Sequence, residues 1–185
     1  TLSHKGILFL DEAAEFSNRV LEILRQPVEE GVIHIYRQSG TYAFPAKMIV
    51  IMALNPCPCG YNGYEERKEC LCSEGELQRY RKKISGPLSE RMDVHIRVTP
   101  PEYDELTSKN KTGITTAEAK EIVCAARNRQ FERLHTYGWQ TNSEITAQAM
   151  QELLRVDKAG EILLRNIFTN FHISARTYHR ILKVA

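Results

Sequence analysis

The segment from Gly6 to Glu12 constrains the fold of this chain more than any other, because four consecutive apolar residues end abruptly in two adjacent carboxylates. Such a run predicts a parallel strand that is covered on both faces, and ligands of open α/β sheets bind beyond the carboxyl ends of their strands. Asp11 and Glu12 are therefore candidate residues of a nucleotide triphosphatase site, in which the first acid holds Mg²⁺ and the second polarises the attacking water. The alternative is an acidic loop that caps the next helix.

Length and composition predict a globular protein with one medium domain or two small ones. The 185 residues are 42% hydrophobic and 26% charged, which excludes a disordered tail. No apolar stretch approaches the ~20 residues that span a bilayer, and residues 1–5 lead into the first strand without a secretory signal. We therefore expect a soluble, cytoplasmic protein with no membrane partner. A net charge of +2 is too small to indicate nucleic-acid binding without a local basic patch.

A β-hairpin is predicted in the first half of the chain. Residues 32–36 and 41–44 are β-prone and flank the turn signal Ser39-Gly40. Its tip carries Arg37 and Gln38, which are candidates for contact with a nucleic-acid backbone or are simply a solvated tip.

Two further strands and one helix complete the predicted first half. Residues 48–54 predict a buried strand that ends at Asn55-Pro56, and residues 94–98 predict a shorter strand. Asn55 thus follows a strand, as Asp11 does, although an Asn before a proline is also a common turn former. The helix lies between the first strand and the hairpin. Ser17 is its expected cap, Pro27 is expected to kink or break it, and Gly31 is its stop signal.

The second half of the chain is predicted to be helical. From Thr116 onward the pattern favours about four helices, with breaks near residues 138–141, 156–160 and 172–174. Residues 109–113 are typical of a linker, so the boundary is expected between Pro101 and Thr115. The predicted domains are residues 1–105, which are α/β, and residues 106–185, which are all-α.

Four cysteines form two tight pairs, Cys57-Pro58-Cys59 and Cys70-Leu71-Cys72. Four thiolates suit a structural Zn²⁺ site, although a spacing of one residue is tighter than the usual two to four. Reduced free thiols are the alternative, and a disulfide is disfavoured in a cytosolic chain. Cys124 stands alone on a helix and is expected to be a small buried hydrophobe.

The chain resembles magnesium chelatase-like AAA+ proteins of the ComM/YifB type. The resemblance rests on five strings in family order, which are GILFLDEAAEF, LEILRQPVEEG, ALNPCPCG, RYRKKISGPLSERMD and SARTYHRILKVA. It implies a partial AAA+ P-loop NTPase core, from Walker B to the last strand, followed by an all-α helical lid. No GxxxxGKS or GxxxxGKT phosphate loop occurs in these residues. In the family, the strand before that loop lies between the strands at 48–54 and 94–98. Without it, these two strands must pair directly, or the chain must self-associate or be loosely ordered.

The resemblance also implies roles for individual residues in an ATP and Mg²⁺ site. Asp11 and Glu12 match the Walker B acids, with Mg²⁺ held by Asp11 through water, and Asn55 matches sensor 1. Arg91 matches the arginine finger that enters the neighbouring subunit's site, its alternative being a surface arginine paired with Glu90 or Asp93.

Two arginines compete for the role of sensor 2 on the lid. Arg176 matches the family motif in Ser174-Ala175-Arg176, and Arg180 lies one helical turn further on the same face. The hairpin with Arg37 and Gln38 corresponds to the insertion that points into the central pore of related ring helicases.

The function implied for the parent protein is an ATP-driven, ring-forming motor that remodels DNA, such as a branch-migration helicase of natural transformation. The ring is expected to be a homo-oligomer, typically a hexamer. The alternatives are the ATPase motor of a magnesium chelatase, which inserts Mg²⁺ into a porphyrin, and a non-enzymatic interaction module. The isolated chain is expected neither to bind ATP tightly nor to hydrolyse it.

Overall fold

The structure is a computed structural model that describes residues 2–64, 68–84, 86–107 and 113–185, apart from the side chains of Pro87 and Glu105. The chain divides into two compact units, Thr1–Val94 and His95–Ala185. Most of the linker expected at 109–113 lies outside the described residues. The domain boundary at residue 105 stays a prediction.

The first unit combines short strands with short helices. In chain order its described elements are β1 (Ile7–Leu10), a 3₁₀ turn (Ala13–Glu15), α1 (Asn18–Ile23), α2 (Arg25–Glu30), β2 (Val32–Arg37), β3 (Gly40–Pro45), β4 (Ile49–Met52), α3 (Glu74–Lys83) and α4 (Gly86–Ser89).

Strands β1 and β4 pair in parallel, with the register running from Ile7 opposite Ile49 to Leu10 opposite Met52. The pairing continues beyond the strands, because the N–H of Ala53 donates to the carbonyl of Leu10 at 2.9 Å. Both strands therefore end at the same edge of the sheet. The two strand predictions for this region are confirmed, but the burial expected of these strands is not.

One face of this sheet is open. Ile7 and Phe9 are 59% and 58% exposed, and their partners Ile49 and Ile51 are 51% and 43% exposed. The expectation that the first strand is covered on both faces is therefore wrong. Side chains alternate across a strand, so this register gathers all four residues on one side, and in the described part of the unit that side is left to solvent.

The helix predicted before the hairpin is two helices. Ser17 caps α1 through its Oγ, which accepts the Val20 N–H at 3.4 Å, and the break falls at Leu24. A proline cannot continue an established helix, and Pro27 accordingly sits in the first turn of α2. Gly31 ends α2 with φ of 67°, where a Cβ would approach Lys47 Cγ at 2.9 Å.

Strands β2 and β3 form the predicted antiparallel hairpin. Its register runs from Val32 opposite Pro45 to Arg37 opposite Gly40, which leaves Gln38 and Ser39 as a two-residue loop. The turn thus lies one residue earlier than predicted. Gly40 begins β3 with φ of 135°, a conformation that favours glycine.

The strand predicted at residues 94–98 is wrong, since these residues belong to no strand. Val94, Ile96 and Val98 are 60%, 79% and 79% exposed. An apolar run becomes a strand only where a neighbouring strand takes up its N–H and C=O groups. The β1–β4 sheet has two strands within the described residues, so direct pairing of residues 94–98 with β4, one of the three alternatives given for them, is absent from it.

The second unit is helical, as predicted. Its described helices are α5 (Tyr103–Thr107), α6 (Thr116–Leu134), α7 (Ala147–Leu153), α8 (Lys158–Phe171) and α9 (Ala175–Val184). The core consists of Leu134, Ile145 and Met150, and Trp139 packs against it. Cys124 is exposed on α6, so the expectation that it is buried is wrong.

A groove of about 890 Å³ lies among α7, α8 and α9. One side of α9 lines it, through residues at helical spacing that are Ala175, Tyr178, His179 and Leu182. Among the residues that the structure describes, no helix has the length and apolarity required to cross a membrane.

Leu134→Ala is expected to destabilise the second unit by about 2–5 kcal/mol, because Leu134 is fully buried and its truncation leaves a cavity. Urea unfolding followed by the fluorescence of Trp139, the single tryptophan of the sequence, measures this loss. Ile122→Ala is the matched control on α6, where 60% exposure predicts a change within about 0.5 kcal/mol. Equal losses in the two variants would contradict the packing described.

Acid is expected to weaken α6 through its capping box. Backbone and side-chain hydrogen bonds from Thr115 lower the pKa of Glu118 below its ordinary value of 4.5. A lowered folded-state pKa stabilises the unit above pH 4.5, and this contribution disappears as the pH falls through the folded value. The urea midpoint of the wild type should therefore exceed that of Glu118→Gln at neutral pH and approach it at low pH, and Glu121→Gln, exposed on the same helix, controls for replacing a carboxylate by an amide.

Candidate nucleotide site and adjoining cysteine cluster

Asp11 and Glu12 form a tight turn at the carboxyl end of β1, and both are exposed. Asp11 Oδ1 accepts the Glu12 N–H at 3.0 Å, and Glu12 has a left-handed φ of 48°. The side chain of Glu12 makes no capping bond to the following 3₁₀ turn, and α1 is capped by Ser17. The structure therefore does not show these acids capping the next helix.

The turn after β1 is tied to the segment after β4. The Ala13 N–H donates to the carbonyl of Ala53 at 3.0 Å, two residues before Asn55. Asp11, Glu12 and Asn55 consequently follow neighbouring strands at one edge of the sheet. Their roles as Walker B acids and sensor 1 stay predictions.

Tyr80 on α3 adjoins the same edge and was missed by sequence reasoning. Burial raises the pKa of its hydroxyl, the charges of Glu15, Cys57 and Glu12 raise it further, and a hydrogen bond from the Asn55 backbone opposes the shift. Tyr80 lies three residues after buried Leu77, a helical spacing that could have identified it as facing inward.

Helix α3 is fixed to the surrounding loops at several points. Ser73 and Glu76 form a capping box at its start, in which the Ser73 N–H donates to Glu76 Oε2 at 2.8 Å. Near its end, Lys83 Nζ lies 3.8 Å from Glu15 Oε1. Between these points, Arg81 donates to Asn62 Oδ1 at 3.5 Å. The helix thus links the turn after β1 to the cysteine-containing loop.

Arg91 forms an ion pair with Glu29 on α2. Its Nε donates to Glu29 Oε2 at 2.9 Å, and its Nη2 contacts the same oxygen. The side chain of Arg91 is 14% exposed. The sequence suggested Glu90 or Asp93 as partners of a surface Arg91, and the ion pair with Glu29 adds a carboxylate from α2. The arginine-finger role stays a prediction.

Arg37 and Gln38 lie at the exposed tip of the hairpin, as predicted. Tyr36 beside them is 75% exposed. The tip therefore offers a cation, an amide and an aromatic ring to solvent.

Arg176 and Arg180 lie on α9 of the second unit, four residues apart. Arg176 is exposed in the first turn, behind the Ser174 cap, whose Oγ accepts the Thr177 N–H at 3.2 Å. Neither arginine lines the groove among α7, α8 and α9. Contact of either residue with a nucleotide stays a prediction.

Cys57, Cys59, Cys70 and Cys72, hereafter the cysteine cluster, bring their four Sγ atoms within 4.8 Å of one another. Cys57 is fully buried and the other three are half-buried. The separation is 3.3 Å from Cys57 to Cys59, 3.8 Å from Cys57 to Cys70 and 3.6 Å from Cys59 to Cys70. Within the described residues, this is the group of metal-ligand side chains that could enclose a single ion.

Hydrogen bonds polarise the cysteine cluster. A bond from the Tyr61 backbone, with others from Cys57, Leu71 and Cys72, lowers the pKa of Cys59 to about 6 against the opposing effect of desolvation. For Cys72, a hydrogen bond from the Cys59 backbone lowers the pKa. Desolvation and side-chain hydrogen bonds with the other three thiols outweigh it and raise the pKa to about 12. A thiolate at Cys59 is therefore the first charge that the cluster supports.

The side chains at the sheet edge carry the oxygen atoms that Mg²⁺ takes as ligands. This ion prefers oxygen ligands and is usually held by one or two carboxylates together with water and substrate phosphates. Asp11 and Glu12 provide two adjacent carboxylates, and the amide of Asn55 provides an uncharged donor and acceptor.

Comparison with known proteins identifies two matching families. The family described as magnesium chelatase, subunit ChlI, matches residues 1–106, and the family described as its C-terminal part matches residues 113–185.

Curated relatives match along the whole chain. YifB of Escherichia coli is 32% identical over 186 residues, and the competence protein ComM of Haemophilus influenzae is 33% identical over 186 residues. An uncharacterised protein of Mycobacterium tuberculosis is 32% identical over 183 residues, which cover 99% of this chain. The chain spans about a third of their length, since the match covers 35% of each relative. Because the family match covers more than half of its residues, this chain belongs to the magnesium chelatase subunit ChlI family, with YifB and ComM among its relatives.

Proposed function

We propose that this chain provides the water-activating half of an ATPase site and the helical lid of a ring-forming AAA+ motor. The observation that carries the proposal is the parallel pairing of β1 with β4, which brings the acid pair and Asn55 to one edge of the sheet. The phosphate loop is assigned to another part of the longer protein, because these 185 residues contain no GxxxxGKS or GxxxxGKT.

Each residue at the sheet edge has a distinct role in this proposal. Asp11 would hold Mg²⁺, which supplies charge neutralisation at the phosphates when bound. The Glu12 carboxylate would orient and polarise the attacking water, and the Asn55 amide would position that water against the γ-phosphate. Arg91 would serve a neighbouring protomer, and Arg176 or Arg180 would contact phosphate from the lid. Apart from those of the phosphate loop, the charges expected around a triphosphate are thus present in residue type.

The motor is proposed to act on DNA within a homo-oligomeric ring, as the resemblance to the ComM/YifB type implies. The exposed hairpin tip supports this assignment. Arg37 can pair with a backbone phosphate and the exposed ring of Tyr36 can stack on a base, which is the combination used by sequence-tolerant nucleic-acid binders.

A second candidate is the ATPase motor of a magnesium chelatase that inserts Mg²⁺ into a porphyrin. The match of residues 1–106 to the magnesium chelatase subunit ChlI family favours it. The cysteine-containing loop after Asn55 favours the DNA-acting type, because the string ALNPCPCG is among those on which the ComM/YifB resemblance rests.

Glu12→Gln in the longer protein that contains this chain is expected to lower kcat for ATP hydrolysis by about 100-fold or more, because the amide cannot polarise water as a carboxylate does. ATP binding should be unchanged, since the role of Glu12 is confined to the reaction step. Steady-state turnover and equilibrium nucleotide binding measure the two effects.

Glu30→Gln is the matched control for that experiment. Glu30 is an exposed acid on α2 whose Oε2 accepts a hydrogen bond from Gln26 of the same helix at 2.8 Å. It should turn over ATP at the wild-type rate. Equal losses in both variants would refute the assignment of Glu12, and robust turnover by the 185-residue chain alone would refute the assignment of the phosphate loop to another segment.

Arg37→Ala in the longer protein is expected to weaken single-stranded DNA binding and to reduce its salt dependence. Each lost phosphate contact should reduce the magnitude of the negative slope of log Kobs against log salt by about 0.7. Fluorescence anisotropy at several salt concentrations measures this slope. Arg19→Ala, an exposed arginine on α1, is the control and should retain the wild-type slope. Porphyrin metallation without salt-dependent DNA binding would instead support the chelatase motor.

A further inference from the structure

We propose that the cysteine cluster binds one zinc ion in a closed structural site, and that this ion anchors the loop of residues 56–73 next to Asn55. This inference is independent of the proposed ATPase reaction, because the ligands, the geometry and the readouts below belong to the loop alone.

The sulfur separations fit a single tetrahedral ion. With Zn–S bonds of about 2.3 Å, the edges of a tetrahedron of sulfurs measure about 3.8 Å. The three separations among Cys57, Cys59 and Cys70 are 3.3, 3.8 and 3.6 Å, and all four sulfurs lie within 4.8 Å. The three separations among Cys57, Cys59 and Cys70 thus lie within about half an ångström of that edge length, and those to Cys72 exceed it by about 1 Å at most.

Backbone N–H groups point at the sulfurs, as outer-shell donors do around bound metals. The Asn62 N–H donates to Cys57 Sγ at 3.3 Å. Backbone hydrogen bonds from Tyr61 and Leu71 reach Cys59, and one from Cys72 reaches Cys70. These donors orient the sulfurs inward and offset the negative charge that four thiolates would accumulate around a divalent cation.

The choice of zinc follows from the ligand set. Four sulfurs in tetrahedral arrangement are typical of zinc or of iron–sulfur centres, whereas Mg²⁺ and Ca²⁺ take oxygen ligands. A cluster of several irons would spread its four ligands more widely than a single ion does. The four protein ligands also leave no open position, which is characteristic of structural rather than catalytic zinc.

Anchoring has a local purpose, because little apolar surface is buried in the part of this loop that the structure describes, residues 56–64 and 68–73. Leu71 is 79% exposed, and Cys57 is the fully buried hydrophobic residue of the loop's described part. Cys57 follows Asn55 by two residues. Asn55 would thus be held between β4 on one side and a zinc ligand on the other, which restricts the backbone that positions its amide.

The test uses the 185-residue chain purified from cells grown with zinc. Elemental analysis should find one zinc per chain, and replacement by Co²⁺ should give the intense visible bands of tetrahedral thiolate coordination. Cys59→Ser and Cys72→Ser should each lose most of the bound metal, whereas Cys124→Ser, which changes the exposed cysteine on α6, should retain it. Metal-free wild-type protein, iron in place of zinc, or full zinc retention in the Cys59→Ser, Cys72→Ser double variant would overturn the proposal.

Thiol reactivity provides a test that does not depend on the folding of variants. With zinc bound, one of the five cysteines, Cys124, should react rapidly with a thiol reagent, and all five should react after zinc is removed by a chelator. Amide hydrogen exchange in residues 57–64 and 68–73 should accelerate on zinc removal and recover when zinc is restored, while the fluorescence of Trp139 shows that the second unit stays folded. Five rapidly reacting thiols before chelation, or exchange that is indifferent to zinc, would contradict the proposal.

Discussion

The parallel pairing of β1 with β4 is the interaction on which the rest of the first unit depends. Parallel strands end at a common edge, and the hydrogen bonds through Ala53 carry that alignment past the last paired residues. The acid pair, Asn55 and the start of the cysteine-containing loop are placed by those few bonds. Helix α3 supports the same edge from the side, through Tyr80 and through the contact of Lys83 with Glu15.

The sequence predicts best those features whose causes are local. The apolar runs of β1 and β4, the hairpin and the helices after Thr116 are all found, because periodicity, caps and glycine conformations act within a few residues of the chain. Ser17, Thr115 and Ser174 accept backbone N–H groups as caps, and Gly31 adopts the left-handed conformation expected after a helix. These features need no knowledge of distant contacts.

The errors concern features that depend on a neighbour. Residues 94–98 have the composition of a strand but belong to none, and the face of the sheet formed by Ile7, Phe9, Ile49 and Ile51 is open to solvent. Burial of Cys124 was wrong for the same reason, since a small apolar residue on a helix does not reveal which face is covered. The pairing of Arg91 with Glu29 joins residues 62 positions apart, and no local pattern indicates it.

The Arg91–Glu29 ion pair has a structural consequence when it is considered with the hairpin. Helix α2 carries Glu29 and is separated from β2 by Gly31 alone, whose carbonyl accepts the Ala46 N–H at 2.7 Å. The carboxylate that holds the arginine and the first strand of the hairpin are therefore joined through a single residue. Any other anion that binds Arg91 has to displace Glu29 from it.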